Sequence, residues 1–266
     1  MILYPNAKIN IGLNITSKLN SGYHKIESCF LPISLYDIIE INENERNKLS
    51  LSGIKIDCKI SENIILKTLN SFKSSKKFNV HLHKNIPIGA GLGGGSSDAA
   101  FTLKYLNKIL KKFDNDQLLL KANKIGSDCP FFIINKTKYV TNTGDRFENI
   151  NLDLSKKRII IINPNKSINT SKAFKNISPS KAKYNLKEVL ENENIENWNN
   201  YVKNDFEKYV FSKIKTLNKI KSNLIDHGAK FVSLSGSGSC IYGIFDKNNL
   251  PDKEFQFDYH YVKILN

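Results

Sequence analysis

Five glycines within seven positions are the feature of this sequence best suited to chemistry. They are Gly89, Gly91, Gly93, Gly94 and Gly95. Glycine loses conformational entropy on folding, so a fold keeps such a cluster where the backbone must turn sharply or approach another group closely. Ser96, Ser97 and Asp98 follow as residue types that cap a helix, and the apolar residues after them recur with the helical period. Because a helix N-terminus presents free N–H groups and positive partial charge, this stretch predicts an anion site, usually for phosphate.

The glycine stretch differs from two familiar phosphate loops. No Gly-Lys-Ser/Thr follows it, which excludes a P-loop. Gly89, Gly91 and Gly94 satisfy G-x-G-x-x-G, but the strand-like residues 78–83 end well before the first of them. A dinucleotide fingerprint also needs an acidic residue about 20 positions on, and Asp114 opens a helix pattern there instead of closing a second strand. The remaining alternative is a glycine-rich turn without a ligand.

Two charged residues stand in apolar surroundings. Lys8 lies within residues 2–16, whose alternating apolar pattern predicts a strand. Asp128 directly precedes a cysteine, a proline and four large apolar residues, where the chain enters a core. Lys8 is therefore either a solvated strand side chain or a functional one. Asp128 is either a helix cap or a functional carboxylate.

Aromatic and imidazole side chains give two further candidates. Tyr23 and His24 follow the turn at Gly22. They form either an exposed hairpin tip or a corner that recognises a base, with one flat face and one donor and acceptor. His81 and His83 share a face of a predicted strand and are residue types that bind metals. Because the pattern offers no third ligand, we interpret them as an ordinary strand face.

The regular elements around these residues indicate how they are positioned. Residues 114–125 predict a helix that ends at Gly126. Residues 158–162 form an apolar run typical of a buried strand. A second small-residue loop, residues 235–239, joins two predicted strands tightly. We expect the backbone of this loop to pack closely against another segment.

Length and composition indicate a globular protein of 266 residues that are 40% hydrophobic. The pattern turns polar around residues 151–157, so we expect one domain at residues 1–152 and a second at residues 153–266. No apolar run approaches the roughly 18 residues of a membrane helix, and no signal-peptide pattern is present, which predicts a cytoplasmic protein without a membrane partner. Four cysteines far apart in sequence indicate neither a zinc site nor a disulfide framework.

The net charge of +15 allows two interpretations. One is a polyanionic partner such as nucleic acid. The other is a compositional bias, because lysines occur mostly as singles and pairs and not as one stripe interleaved with aromatic residues. We favour the bias and expect no nucleic-acid partner.

Three motifs together resemble the GHMP small-molecule kinases. They cover residues 5–13, 87–100 and 234–240, and their order and separation make the match specific. The resemblance extends over nearly the whole chain. It implies an α+β fold of two domains, with a ribosomal-protein-S5-like N-terminal domain and a ferredoxin-like C-terminal domain. It also implies transfer of a phosphoryl group from ATP, with Mg²⁺, to an alcohol.

The resemblance carries roles onto individual residues. Lys8 and Asp128 match the catalytic pair, and Ser97 is a candidate Mg²⁺ ligand. The matched ATP-binding positions are Asn63, Pro87, Ile88, Gly89, Ala90, Gly91, Leu92, Gly93, Gly94, Gly95, Ser96 and Ser97. The positions that match a cytidyl diphosphate substrate site are Asn10, Tyr23, His24, Thr170 and Phe174. Tyr23 and Phe174 are expected on opposite sides of the cytosine.

The closest resemblance within the family implies a reaction on a tertiary hydroxyl in isoprenoid precursor biosynthesis. The alternatives are another GHMP kinase and a basic RNA-binding protein. We expect a monomer or a weak homodimer. One departure from the family pattern is Asn142-Thr143-Gly144-Asp145, where Gly-x-Gly-Glu is common, and asparagine suits the turn because it tolerates a positive φ.

Overall fold

The computed structural model of the chain describes residues 1–248 and the strand at residues 261–265. Two units alternate along the sequence. The first contains Met1–Lys8, Ser34–Ile88 and Gly93–Lys136, and the second contains Ile9–Ile33, Gly89–Leu92 and Thr137–Asn266. The domain boundary predicted between residues 152 and 153 stays a prediction.

The first 136 residues carry the elements of the first unit together with two long strands that lie mostly in the second unit. In chain order they are β1 (Ile2–Leu3), β2 (Asn6–Lys18), β3 (His24–Tyr36), β4 (Ile38–Asn44), β5 (Lys48–Gly53), α1 (Ile64–Ser71), β6 (Lys77–Lys84), α2 (Gly94–Leu110), α3 (Asn115–Ile125) and α4 (Cys129–Ile134), with a short 3-10 turn at Ile60–Glu62. Strands β1, β4, β6 and β5 form one sheet in that order, in which only the β5–β6 pair is parallel among the described strands. Helix α2 packs against α1 and α4.

The first unit's core follows the periodicities of its elements. Along β6 every second side chain is buried, beginning with Phe78 and ending with Lys84. Leu103 and Leu106 of α2 are buried on the face toward the core. The predicted helix at residues 114–125 is confirmed by α3, which begins after a capping box at Asp114.

The remaining elements belong to the second unit. They are β7 (Lys138–Thr141), β8 (Arg146–Glu148), β9 (Lys157–Asn163), α5 (Thr170–Lys175), α6 (Leu186–Asn192), α7 (Trp198–Tyr201), α8 (Glu207–Lys213), α9 (Thr216–Asp226), β10 (Phe231–Leu234), β11 (Ile241–Asp246) and β12 (Tyr261–Leu265), with a 3-10 turn at Ile195–Asn197. One sheet has the order β10-β11-β9-β12 and is antiparallel throughout. This order matches a ferredoxin-like sheet and agrees with the fold that the resemblance implied.

The core of the second unit lies on one face of this sheet. Helices α8 and α9 contribute Val210, Leu217 and Ile220, which meet strand residues such as Ile160 and Phe245. The apolar run predicted as a buried strand is β9, the second strand from the sheet edge. A second sheet has the order β2-β3-β7-β8. Across the described part of the chain, the helices are too short or too polar to cross a membrane.

Candidate functional site

Lys8 and Asp128 lie together in the first unit. The Lys8 Nζ is 3.6 Å from the Asp128 Oδ2, and the two side chains are 4% and 28% exposed. Asp128 occupies the N-cap position of α4, yet its side chain makes no capping hydrogen bond. Of the two interpretations of Asp128, the helix cap is therefore wrong. A carboxylate open to solvent on one side and held by an ammonium on the other is suited to accept a proton from a bound molecule.

Strand β2 explains why Lys8 is buried. The first eight residues of this strand are all buried, although successive side chains point to opposite faces, so neither face is solvated there. The solvated interpretation of Lys8 is therefore wrong. Burial lowers the pKa of Lys8, and the Asp128 carboxylate counters part of that effect.

Helix α2 begins earlier than its serines suggest. The N-cap is Gly93, with φ +71°, and the first helical residue is Gly94. The prediction that Ser96, Ser97 and Asp98 cap this helix is therefore wrong, because a left-handed glycine turns the chain into the helix before they are reached. The N–H groups of the first three helical residues have no partner within the helix and point out of its N-terminus.

Gly93 also brings the helix start close to the ion pair. A Cβ at this position would lie 3.0 Å from the ring of Phe132 and 3.2 Å from the Lys8 Cε. The aliphatic stem of Lys8 therefore runs directly past the N-cap of α2. An anion bound at the helix start would lie beside the Lys8–Asp128 pair.

Two other predicted nucleotide residues lie in the first unit. The Ser97 Oγ is buried and has no hydrogen-bond partner among the described residues. Asn63 is the N-cap of α1, and its Oδ1 accepts a hydrogen bond from the Ile65 N at 2.9 Å. The Asn63 side chain thus has a structural task at the start of α1, and its contact with ATP stays a prediction.

The first part of the glycine loop, Gly89–Leu92, belongs to the second unit and packs against the small-residue loop 235–239. The Ser235 Oγ donates to the Gly91 O at 2.9 Å, and the Cys240 N donates to the Ala90 O at 3.1 Å. Gly91 has φ +79°, and a Cβ there would overlap the Ser235 O. The prediction that loop 235–239 packs its backbone against another segment is confirmed. Gly89 lies beside Ser167 in the same unit.

The predicted substrate residues are all in the second unit. Phe174 and Thr170 lie one turn apart on α5, and the Thr170 Oγ1 is 2.9 Å from the Ser237 Oγ. The ring of His24 stacks on Phe174 with centroids 4.9 Å apart and an angle of 21° between the planes. Tyr23 is 64% exposed. The structure thus brings His24 and Phe174 together, and the cytosine between Tyr23 and Phe174 stays a prediction.

Asn10 is fixed from both its side chain and its backbone. Its Nδ2 donates to the Ser28 Oγ at 3.0 Å, and its carbonyl accepts from the Tyr242 hydroxyl at 2.9 Å.

The turn at residues 142–145, which departs from the family pattern, is also ordered. Asn142 has φ +60°, and the Asp145 Oδ1 accepts from the Asn142 Nδ2 at 2.8 Å, as the tolerance of asparagine for positive φ predicts.

His81 and His83 lie on one face of β6, as predicted. The Ser52 Oγ is 2.8 Å from the His81 Nε2 and 2.9 Å from the His83 Nδ1. The Ser50 Oγ is 2.9 Å from the other ring nitrogen of His81. Over residues 1–248 the side chains form no group of three or more histidine, cysteine or acidic residues that could hold a metal ion.

Sequence reasoning missed one buried cluster below the start of α2. Lys84 forms ion pairs with Asp37 and with Asp98, the latter at 3.2 Å. Two of these residues carried no prediction, and Asp98 was expected to cap the helix. A signal was available, because Lys84 stands at an inward position of β6, two residues after the buried Leu82.

Comparisons with known proteins agree with these features. Two family models match, GHMP kinases N terminal domain over residues 62–136 and GHMP kinases C terminal over residues 185–260. A 4-diphosphocytidyl-2-C-methyl-D-erythritol kinase of Azobacteroides pseudotrichonymphae genomovar. CFP2 is 41% identical over 98% of this chain and 99% of its own length. A protein of the same name from Parabacteroides distasonis is 39% identical over 93% and 92%.

A solved structure is similar as well. The crystal structure of a 4-(cytidine 5'-diphospho)-2C-methyl-D-erythritol kinase has a TM-score of 0.73 and 25% sequence identity. The similarity covers 91% of this chain and 89% of the other.

Proposed function

The chain belongs to the GHMP kinase family, and on that premise we propose that it phosphorylates the 2-hydroxyl of 4-diphosphocytidyl-2-C-methyl-D-erythritol with ATP. The products are the 2-phosphate and ADP. Relatives of that name, about 40% identical over nearly the whole chain, support the substrate. The observation that carries the chemistry is the Lys8–Asp128 pair, 3.6 Å apart beside a helix start with free N–H groups.

Asp128 is the proposed general base. The 2-hydroxyl is tertiary and crowded, so alignment with the γ-phosphate carries most of the rate enhancement. Asp128 accepts the hydroxyl proton as the new phosphate bond forms. Lys8 keeps the Asp128 carboxylate ionised and places positive charge near the transferring group. The N–H groups of Gly94, Gly95 and Ser96 hold phosphate oxygens at the start of α2.

The proposed Mg²⁺ dependence is supported by the Ser97 side chain. Mg²⁺ takes oxygen ligands, and the Ser97 Oγ is a buried oxygen without another partner among the described residues. Ser97 therefore fits the role of a ligand. The chemistry that a bound Mg²⁺ supplies is neutralisation of the triphosphate charge.

The cytidyl end of the substrate is assigned to the second unit. Tyr23 and Phe174 offer flat faces to the cytosine, and His24 offers a donor and an acceptor to its edge. Asn10 and Thr170 contribute polar contacts. We further propose that the enzyme acts in the cytoplasm, because ATP and the cytidyl substrate are both polyanions. We also propose that it is a monomer or a weak homodimer.

A substrate panel tests the proposed reaction. The purified protein is given ATP and Mg²⁺ with 4-diphosphocytidyl-2-C-methyl-D-erythritol, mevalonate, homoserine or galactose, and ADP release is followed. We expect turnover of the cytidyl substrate alone. Turnover of another alcohol would keep the family and reject the substrate. Salt-dependent retention of RNA without turnover of any alcohol would favour the RNA-binding alternative.

A further inference from the structure

Three buried charged side chains meet below the start of α2, and none has a part in the proposed chemistry. Lys84 ends β6, Asp37 lies between β3 and β4, and Asp98 is in the second turn of α2. Their side chains are 3%, 0% and 3% exposed. Buried charges cost free energy unless close pairing and hydrogen bonds offset the loss of water. The contacts that offset this cost are two ion pairs of Lys84, whereas the Asp98 Oδ1 is buried without a hydrogen-bond partner among the described residues.

Asp37 ties the cluster to the segment that leads into the glycine loop. Its Oδ1 accepts hydrogen bonds from the Asn85 N at 2.6 Å and from the Ile86 N at 2.8 Å. Its Oδ2 is paired with the Lys84 Nζ. The backbone just before Pro87 is thus fixed by a carboxylate and an ammonium that are themselves paired.

Asp98 and Gly94 tie the same ammonium to the helix that follows the loop. The Lys84 Nζ lies 3.2 Å from the Asp98 Oδ2. A Cβ on Gly94 would lie only 2.7 Å from that nitrogen, so Lys84 sits directly below the first helical residue. One ammonium therefore contacts the segments on both sides of the glycine loop.

We propose that Lys84, Asp37 and Asp98 are positioning residues for the nucleotide. They fix the first turn of α2 relative to the segment that enters the glycine loop, and so aim the N–H groups of Gly94, Gly95 and Ser96 at the phosphates. This inference rests on the proposed function only in assigning ATP to this helix start.

The charge state of the cluster suits a neighbouring triphosphate. Burial raises the pKa of Asp98 well above its ordinary range, and Lys84 offsets only part of this rise. A raised pKa lessens the negative charge that Asp98 carries near the start of α2, which favours an anion bound at the positive end of the helix dipole.

Asp98→Ser separates the helix from the cluster while leaving the Asp37–Lys84 pair intact. The full-length variant is titrated calorimetrically with ATP and Mg²⁺ without an acceptor alcohol, and KM is then measured for ATP and for the cytidyl substrate. We expect the Kd and KM for ATP to rise about ten-fold, because small misplacements of binding groups have effects of this order or more. KM for the cytidyl substrate should stay within about two-fold, which a general loss of structure would not produce.

Two further variants separate positioning from stability. Asp98→Asn keeps an oxygen for Lys84 and should return ATP affinity to within about three-fold of the parent. Leu106→Val removes a buried methylene group from the same helix away from the cluster, so it should lower Tm without weakening ATP binding. If Asp98→Ser does not fold, Lys84→Arg replaces it, because the larger guanidinium must displace the turn at Gly94.

Unchanged ATP affinity in Asp98→Ser, or in Lys84→Arg where it is used instead, would overturn the proposal. So would an equal loss in Leu106→Val. Failure of the proposed function gives a different result. The parent protein would then bind ATP but turn over no cytidyl substrate, and the calorimetric comparison would still decide the role of the cluster.

Discussion

The Lys8 ammonium lies 3.6 Å from the Asp128 carboxylate, and the lysine is the more deeply buried of the two. The order of burial matters for chemistry. A base must reach its substrate, whereas the cation that keeps it ionised does not need to. The pair therefore has an inner electrostatic partner and an outer reacting group.

Replacing Asp128 by asparagine tests the outer group. Asp128→Asn keeps the shape and removes the basic carboxylate, so kcat should fall by about 10²- to 10⁴-fold. Tm should fall as well, because the buried Lys8 ammonium loses its charged partner. Steady-state ADP release with the cytidyl substrate measures the effect. Asp114→Asn is the control, because asparagine retains the α3 cap, and its kcat should be unchanged. Parent-like kcat in Asp128→Asn would rule out the general base.

The lowered pKa of Lys8 predicts opposite pH effects on activity and stability. Activity should fall as the pH rises through the lowered pKa, below the ordinary 10.5, because the ammonium is lost. Stability should rise over the same window, up to 10.5, because the unfolded chain then holds more protons than the folded one. The profiles of kcat and Tm against pH are compared with those of Lys8→Met. A Tm difference between the two proteins that does not vary with pH would contradict the prediction.

Three glycine-to-alanine variants separate backbone strain from overlap. Gly22→Ala has open space and a positive φ, so it should lose about 1–2 kcal/mol of unfolding free energy. Gly91→Ala also overlaps the Ser235 O and should lose more than about 3 kcal/mol. Gly95→Ala lies in a helix with nothing within 4 Å and should be neutral or gain up to about 1 kcal/mol. Denaturant unfolding gives the three values, and equal losses at Gly22 and Gly91 would argue against the contact with loop 235–239.

The two aromatic residues proposed at the cytosine should differ in their effect on stability. Tyr23→Ala should raise KM for the cytidyl substrate by about 5- to 100-fold, the range of one base stacked on one ring, and leave Tm unchanged because Tyr23 is 64% exposed. Phe174→Ala should raise the same KM and also lower Tm, because its ring contacts His24 and Phe206. Tyr36→Ala, at another exposed tyrosine, is the control. A change confined to KM for ATP would argue against both roles.

Removing the Ser97 hydroxyl should preserve or raise the stability of the protein but weaken its use of Mg²⁺. The buried Oγ lacks a partner among the described residues, so Ser97→Ala should leave Tm equal or slightly higher. The Mg²⁺ concentration for half-maximal activity should rise several-fold if this oxygen is a ligand. Titration of activity with Mg²⁺ at fixed ATP checks this, with Ser71→Ala as a serine control outside the loop. A lower Tm with an unchanged Mg²⁺ requirement would mean that the hydroxyl is structural.

Features set by short stretches of sequence were predictable. The glycine loop, α3 with its cap at Asp114, and the buried β9 follow from local spacing, and the structure places them where expected. The start of α2 was placed too late, because serine and aspartate are the usual caps, whereas Gly93 reaches a left-handed conformation first.

Features set by distant segments were not predictable. Lys84 and Asp37 are 47 positions apart, and nothing in the local pattern of either residue specifies the other. The burial of Lys8 depends on what covers the second face of β2, which strand periodicity does not reveal. The division of β2 between the two units has the same origin.

Strand β2 also constrains the order of events on the ribosome. The Ile15 N donates to the Asp205 Oδ2, 190 residues later, and Leu13 exchanges hydrogen bonds with Lys203 and Asp205. At roughly 5–20 residues per second, the partners of this strand emerge about 10–40 s after it. Until then the outer edge of β2 at Leu13 and Ile15 lacks these hydrogen bonds, and unpaired strand edges make a nascent chain prone to aggregation.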